Sequence, residues 1–211
     1  MVETVLLDMD GTLLDKYFDD YFWEEYVPAV YSRKNSTDIE SAKQLLLTTY
    51  RQVENTLVWT DLDYWSAQLG LDIPGLKREV HHLINLRPKA REFLQFLEDS
   101  GKKPIMVTNA HPVTLAIKMK KIPIRSSFKR CICSQEIGFA KEEPDFWAVL
   151  QDLINYDPET TLLIDDTEKV LHSAEIYGIG HLLHIAMPSS KKAPQDSDHV
   201  ASSIDYREIS S

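Results

Sequence analysis

The feature that most constrains this fold is an apolar run near the N-terminus that stops at two carboxylates. Residues 4–7 read Thr-Val-Leu-Leu and are followed by Asp8, Met9, Asp10 and Gly11. Such a run is typical of a buried strand that delivers an acid to the edge of a sheet. Side chains two positions apart in extended backbone lie on the same side of the chain, so Asp8 and Asp10 converge, and Gly11 permits a tight exit.

Two converging carboxylates need a partner that offsets their repulsion. At about 4 Å this repulsion is roughly 4 kcal/mol at an effective dielectric constant near 20, so the pair requires a cation or a shared proton. A hard divalent metal is the natural partner of oxygen ligands. Asp-Gly is also among the commonest turn dipeptides, and the pair taken alone is equally compatible with an ordinary turn.

The segment from residue 16 to residue 87 shows only helical periodicity. Four amphipathic helices are predicted from the spacing of apolar residues, over residues 18–30, 39–53 and 61–70 and from beyond residue 75 to about 82. Asp72 to Gly75 is interpreted as a break in the chain before the fourth helix. The pattern predicts an inserted helical subdomain, residues 16–87, in a core formed by residues 1–15 and 88–211. We call residues 16–87 the helical insertion.

Strands and helices alternate after residue 87. Strands are predicted at residues 104–109, 131–134, 161–164 and 181–186, and helices begin at Pro88, Pro112, Pro144 and Thr167. The residues after 186 are rich in Ser, Pro and Lys and are expected to form an exposed tail. Strands that alternate with helices predict an α/β fold with a mostly parallel sheet that is covered on both faces.

Polar residues follow three of these strands at the point where each ends. Ligands of such sheets bind at the carboxyl ends of the strands, so these side chains are expected to meet at one site. Lys141 lies on a loop that reaches the same edge. The polar residues at the strand ends are Asp8, Thr108, Asn109, Asp165 and Asp166.

These residue types supply what the hydrolysis of a phosphate monoester requires, a reaction that needs up to about 10²¹-fold acceleration. A carboxylate such as Asp8 can attack phosphorus and form an aspartyl-phosphate. Asp10 can protonate the leaving oxygen and later take a proton from water. Asp165 and Asp166 can provide oxygen ligands for Mg²⁺. The phosphoryl oxygens can be bound by Thr108, Asn109 and Lys141.

The motifs resemble, in order, the signature of the haloacid dehalogenase-like hydrolases: Asp8-Met9-Asp10-Gly11-Thr12, Thr108-Asn109, Lys141 and Asp165-Asp166. The resemblance implies a Rossmann-like core with an α-helical cap inserted after the first motif, where the helical insertion lies. It implies Asp8 as the nucleophile and Asp10 as the general acid and base. It also implies that Asp8, the Asp10 backbone carbonyl and Asp166 bind Mg²⁺ with Asp165 beside them, and that Thr108 and Lys141 bind phosphate.

A closer resemblance extends into the helical insertion. It is carried by Asp20-Tyr21-Phe22-Trp23, Leu62-Asp63-Tyr64-Trp65-Ser66, Leu69-Gly70-Leu71-Asp72-Ile73, Thr108-Asn109-Ala110-His111-Pro112 and Leu163-Ile164-Asp165-Asp166. These segments are similar to those of the bacterial GMP/IMP 5′-nucleotidases of this family. The similarity implies a purine mononucleotide as substrate. Aromatic residues of the insertion are candidates for stacking on its base, namely Trp23, Trp59, Tyr64 and Trp65.

Other functions on the same fold stay open. A phosphatase of another small phosphomonoester, such as a sugar phosphate, and a phosphomutase would use the same motifs. Dehalogenation by a carboxylate needs neither a metal nor an acid at position 10, so Asp10 favours phosphoryl chemistry. A nucleotide-binding module without catalysis would be expected to lose Asp8, Asp10 or Lys141, and all three are present.

Charge and cysteine usage narrow the partners further. The chain has 23 Lys and Arg against 33 Asp and Glu, a formal net charge of -10, which argues against long nucleic acid but allows a small anionic substrate in one cleft. Cys131 and Cys133 are two positions apart, which does not suit a metal knuckle, and are predicted to be free core thiols. No stretch reaches membrane-spanning length, so a cytoplasmic enzyme without a membrane partner is expected.

Overall fold

The computed structural model describes residues 1–203 and residue 206. Its six strands form one sheet in the order β3-β2-β1-β4-β5-β6. All pairings between the described strands are parallel, which confirms the predicted α/β architecture. The strands are β1 (Thr4–Leu7), β2 (Ile105–Thr108), β3 (Arg130–Cys133), β4 (Thr161–Asp165), β5 (His181–Ile185) and β6 (Ser202–Ser203).

The central strand β1 is buried on both faces. Val5 and Leu7 face one hydrophobic cluster, whereas Leu6 faces the other. Leu7 is in register with Met106 of β2 and with Ile164 of β4. A strand covered on both faces has no solvent-exposed side, which explains why its sequence is a continuous apolar run.

Helices fill the helical insertion. They are α1 (Tyr17–Tyr21), a π-helical turn (Phe22–Tyr26), α2 (Val27–Asn35), α3 (Ile39–Arg51), a 3₁₀ turn (Leu57–Thr60), α4 (Leu62–Leu69), α5 (Ile73–Glu79) and a 3₁₀ turn (His81–Leu83). Asp38 and Asp61 accept hydrogen bonds from backbone N–H groups at the N-termini of α3 and α4, as capping residues do. Gly70 ends α4 with φ +61°, a left-handed conformation that favours glycine.

Two predicted helix boundaries are wrong. Asp72 to Gly75 does not interrupt the chain, because Asp72 is the N-cap of α5 and accepts a hydrogen bond from Gly75 N at 2.9 Å, with Pro74 in the first turn. Pro88 does not begin a helix. Lys89 has φ +63°, a left-handed conformation that an α-helix cannot include. The helix α6 (Ala90–Asp99) therefore begins at the residue after Lys89.

The remaining helices cover the sheet. They are α7 (Pro112–Lys121), α8 (Ser134–Ile137), α9 (Pro144–Ile154) and α10 (Glu168–Tyr177). Cys133 is buried and Cys131 is half-buried, and both are free thiols. Among the described residues, no helix combines the length and the apolar character needed to cross a membrane.

The expectation of an exposed C-terminal tail is wrong in part. Ser202 and Ser203 form β6, which pairs with β5 at the edge of the sheet. Tyr206 is 1 % exposed, its ring stacks on Phe93 with the centroids 4.4 Å apart, and its hydroxyl donates to Thr12 O at 2.9 Å. Tyr206, an aromatic in a polar segment, therefore adds to the pairing of β6 in fastening this segment to the core. Residues 204, 205 and 207–211 of the predicted tail lie outside the described residues.

We expect Tyr206→Ala to lower the free energy of unfolding by about 3 kcal/mol, because truncating a buried aromatic removes its packing and leaves a cavity. Tyr206→Phe should lower it by about 1 kcal/mol, because the ring stays packed while the hydrogen bond to Thr12 is lost. Urea denaturation measures both. Ile176→Ala, at a side chain that is 64 % exposed, is the control and should change it by less than about 0.5 kcal/mol. A Tyr206→Ala variant as stable as the parent would contradict this role.

Candidate active site

The carboxyl ends of β1, β2 and β4 bring three polar residues together. Asp8 directly follows β1 and its backbone N–H donates to Ile164 O at 3.0 Å, while Thr108 and Asp165 are the last residues of their strands. All three are buried, with at most 5 % of each exposed. Parallel pairing in register places these residues at one edge, as the sequence predicted for its strand ends.

Lys141 connects two of these carboxylates. Its Nζ lies 2.6 Å from Asp8 Oδ1 and 2.7 Å from Asp165 Oδ2, and it donates a third hydrogen bond to Val107 O at 3.3 Å. Burial opposes the charge on this ammonium, but the two carboxylates hold the pKa of Lys141 above its usual value. The two carboxylates therefore favour the charged form of Lys141, which lies between them.

Asn109 and Trp147 hold the loop that carries Lys141. Asn109 Oδ1 accepts from Lys141 N at 3.0 Å, and its amide nitrogen donates to Glu142 Oε2 at 2.8 Å. The Trp147 indole N–H donates to Lys141 O at 3.1 Å. The described contacts of Asn109 thus fasten this loop to the end of β2, a role that the sequence analysis did not foresee. Thr108 and Asn109 both also line the adjoining cavity.

Asp8, Asp165 and Asp166 form a cluster that could hold a metal ion, with one oxygen from each within 4.8 Å of the others. Asp8 Oδ2 is buried and has no hydrogen-bond partner among the described residues. Burial raises the pKa of Asp8 to about 7 against the opposing effect of Lys141, and the neighbouring Asp165 and Asp166 add to the rise. A divalent cation would satisfy the orphan oxygen and favour the ionised carboxylate. The donor set, all carboxylate oxygens, fits Mg²⁺.

Gly11 makes room for one member of this cluster. Its φ is +89°, and a Cβ built on it would lie 2.5 Å from Asp166 Cγ, so any larger residue would displace that carboxylate. Arg87 Nη1 donates to Gly11 O at 2.6 Å and holds the turn in place. The Asp-Gly turn is therefore part of the site, and its glycine is required for close approach.

Lys16 contacts the cluster from the start of the helical insertion. Its Nζ lies 2.6 Å from Asp166 Oδ2, and this carboxylate raises the pKa of Lys16 above its usual value. Lys16 was not among the residues predicted to contact these acids. The sequence around Lys16 does not indicate this contact, because its partner Asp166 is 150 positions away in the chain.

Asp10 is held by a lysine that the sequence analysis missed. Asp10 Oδ1 lies 2.6 Å from Lys118 Nζ, and Lys118 is 1 % exposed. Burial raises the pKa of Asp10 to about 6 in spite of Lys118, and Asp19 and Asp8 contribute to the rise. One feature of the sequence could have indicated Lys118 as a site residue. Thr114 and Lys118 lie one turn apart on α7, a helix that begins at the edge of the sheet where the site lies.

A cavity of about 440 Å³ is lined both by residues of this site and by the helical insertion. Asp8, Asp10, Thr108 and Lys141 line one part of it, and the insertion contributes aromatic and polar residues, among them Trp23, Tyr50, Arg51, Glu54, Asn55 and Trp59. Two predicted base contacts do not reach the cavity as the structure describes it. Trp65 is fully buried and its indole N–H donates to Trp59 O at 2.8 Å, and Tyr64 packs on Trp65 outside the lining.

Residues 2–175 match the family described as haloacid dehalogenase-like hydrolase. The chain belongs to this family. This hydrolase is 38 % identical over 208 residues to the GMP/IMP nucleotidase YrfG of Escherichia coli (strain K12), an alignment that covers 99 % of this chain and 94 % of that protein. It is 20 % identical over 200 residues to the phosphorylated carbohydrates phosphatase of Thermotoga maritima, with 87 % of this chain and 88 % of that protein covered.

A solved structure supports the same fold. The HAD phosphatase from Thermococcus onnurineus superposes on this hydrolase with a TM-score of 0.82 over 99 % of this chain and 96 % of that chain. The two sequences are 20 % identical, so this similarity shows the fold alone. The Rossmann-like architecture expected from the motifs is thereby confirmed.

We expect Lys16→Met to strengthen Mg²⁺ binding by the substrate-free hydrolase about fivefold. Removing a positive charge beside Asp166 removes its repulsion of the bound cation, which we take as about 1 kcal/mol because the Lys16 side chain is 37 % exposed and solvent screens much of its charge. Isothermal titration calorimetry with MgCl₂ measures the change. Lys16→Arg keeps the charge and should bind as the parent does. Weaker binding by Lys16→Met would mean instead that Lys16 orders the site for the metal.

Proposed function

We propose that this hydrolase is a Mg²⁺-dependent phosphomonoesterase that acts on purine 5′-mononucleotides, GMP and IMP foremost, and releases nucleoside and phosphate. The observation that carries the reaction type is the buried Asp8 carboxylate, which has an unpartnered oxygen and lies beside Lys141 and two further acids. The purine preference rests on the near full-length identity to a protein named as a GMP/IMP nucleotidase.

Asp8 and Asp10 perform the two chemical steps in this proposal. An oxygen of Asp8 attacks phosphorus while the bond from phosphorus to the ester oxygen breaks, and Asp10 gives that oxygen a proton, so the nucleoside leaves as a neutral alcohol. Water then attacks the aspartyl-phosphate, Asp10 takes a proton from it, and the bond from phosphorus to Asp8 breaks. A carboxyl with a pKa of about 6 suits a group that alternates between these two forms near neutral pH.

Positive charge in the site is assigned to Lys141 and a bound metal ion. Asp8, the backbone carbonyl of Asp10 and Asp166 would hold Mg²⁺, with Asp165 beside them, and the ion when bound supplies charge that offsets repulsion between Asp8 and the phosphate. Lys141 keeps Asp8 oriented through its 2.6 Å ion pair. The hydroxyl of Thr108 and the ammonium of Lys141 are the proposed partners of phosphoryl oxygens.

The helical insertion is proposed to act as a cap over a core formed by residues 1–15 and 88–211. Its two connections to the core run side by side: Asp15 N donates to Asn85 O, and Arg87 N donates to Leu13 O, both at 2.9 Å. Paired connections of this kind allow the insertion to move as one body about a short hinge. Closure would remove bulk water from the aspartyl-phosphate and favour the intended leaving group.

The purine base is assigned to the aromatic part of the cavity. Trp23 lies 5.4 Å from Tyr50 and 5.5 Å from Trp59, measured between ring centroids, and all three line the cavity. The Tyr50 hydroxyl is buried without a hydrogen-bond partner in the described part of the chain. A heteroaromatic ring with polar edges is the kind of ligand that stacks on such side chains and satisfies such a hydroxyl.

We expect phosphate release from GMP and IMP that depends on Mg²⁺ and is abolished by Asp8→Asn, because an amide lacks the nucleophilic charge. A panel of GMP, IMP, AMP, UMP and sugar phosphates, with and without EDTA, measures this in a colorimetric phosphate assay. A site that pairs with the 6-oxo group should reject AMP strongly, since a buried polar group would be left unmatched.

Each other result of this panel has its own meaning. Release led by a sugar phosphate would keep the mechanism and overturn the purine preference. Comparable rates for AMP and IMP would contradict pairing at the 6-oxo group. A folded protein that binds Mg²⁺ but releases phosphate from none of these compounds would contradict the enzymatic proposal and favour a binding module.

Trp23→Leu should raise the KM for IMP about tenfold, because base stacking on one aromatic contributes roughly 1–3 kcal/mol. The KM for acetyl phosphate, which carries no base, should stay unchanged. Tyr64→Leu is the matched control, because Tyr64 is an aromatic of the same insertion that packs on Trp65 outside the cavity lining. Equal KM increases in both variants, or an increase for acetyl phosphate as well, would contradict a role of Trp23 in binding the base.

A further inference from the structure

Four charged side chains, two buried lysines and two half-buried aspartates, form a continuous network that begins at Asp10. Lys118 Nζ lies 2.6 Å from Asp10 Oδ1 and also pairs with Asp19 Oδ2. Asp19 Oδ1 in turn lies 3.0 Å from Lys77 Nζ. The side chains of Lys118 and Lys77 are 1 % and 3 % exposed, so each depends on these carboxylates for compensation of its charge.

This network crosses from the core to the helical insertion. Asp10 follows β1 and Lys118 lies on α7, whereas Asp19 lies on α1 and Lys77 on α5 of the insertion. Asp19 is fixed between the two ammonium groups, and Lys77 is fixed further by the ring of Phe22, whose centroid lies 4.3 Å from Nζ. The orientation of Lys118 therefore depends on a residue that belongs to the other part of the molecule.

We propose that Lys118 and Asp19 are positioning residues that hold the Asp10 carboxyl in line with the leaving oxygen while the helical insertion is packed on the core. The inference rests on the proposed function, in which Asp10 transfers the proton. Lys118 has no other acidic partner among the described ion pairs than Asp10 and Asp19. Its contact with Asp10 restricts rotation of that carboxyl, and Asp19 keeps Lys118 pointing toward it.

The leaving group distinguishes this role from a merely structural one. The 5′-oxygen of a nucleoside is a poor leaving group and needs its proton as the bond to phosphorus breaks. The p-nitrophenolate ion is a good leaving group and departs without one. Misplacing Asp10 should therefore slow the release of inosine from IMP and leave the release of p-nitrophenolate from p-nitrophenyl phosphate nearly unchanged.

Single-turnover kinetics with enzyme in excess over substrate isolate the step in which the leaving group departs. We expect Lys118→Met to slow the release of inosine about 100-fold, the lower range of what a positioned acid contributes, and to change the release of p-nitrophenolate by less than about threefold. Asp19→Asn keeps an acceptor for Lys118 and should show the same selective loss at smaller size. Lys118→Arg keeps the cation and should restore much of the inosine rate.

The outcomes separate this inference from the proposal on which it rests. Equal losses with both substrates, in Lys118→Met and in Asp19→Asn, would indicate a structural role and overturn the positioning inference alone. Unchanged rates in both variants would overturn it as well. If the parent enzyme released neither leaving group, the proposed function would fail and the inference with it. Far-ultraviolet circular dichroism and thermal melts check that each variant is folded before its rates are compared.

Discussion

The ion pairs of Lys141 with Asp8 and Asp165 are the interaction on which the rest of the site depends. Parallel strands bring the carboxylates of Asp8, Asp165 and Asp166 together at a buried edge, where their repulsion is poorly screened. Lys141 and Lys16 offset part of that charge, and the negative charge that remains, together with the orphan Asp8 Oδ2, makes the site suited to a divalent cation. Removing one partner of such a buried pair typically destabilises a protein by about 3–5 kcal/mol.

The strand-end residues of this site were predictable, because two local rules combine. Short apolar runs that stop at polar residues predict strands, and parallel pairing places the carboxyl ends of the strands at one edge. Asp8, Thr108 and Asp165 followed from these rules. Lys118 did not, because a lysine near the end of an amphipathic helix has the pattern of a solvated residue, and its burial results from contacts 99 and 108 positions away along the chain.

Other features could not be predicted from local sequence patterns, because the same pattern is compatible with two different structures. Trp23 and Trp65 are tryptophans of the same insertion, yet one lines the cavity and the other is fully buried, a difference that arises only when the helices pack. Residues 72–75 combine signals of a turn and of a helix start, and the capping contact of Asp72 decides between them. Tyr206 is an isolated aromatic in a polar segment, and nothing in its neighbourhood indicated its contact with Phe93.

The lysines of the site divide into two groups according to what positions them. The described hydrogen-bond partners of the Lys141 side chain, Asp8, Asp165 and Val107, all lie outside the helical insertion. Lys16 begins the insertion and contacts Asp166, and Lys118 contacts Asp10 but is shared with Asp19 of the insertion. Movement of the insertion would therefore change the surroundings of Asp166 and Asp10 while leaving Asp8 in place. In the proposed mechanism, the nucleophile Asp8 would therefore be in place at all times, whereas the proton donor Asp10 would be positioned only when the two parts are packed together.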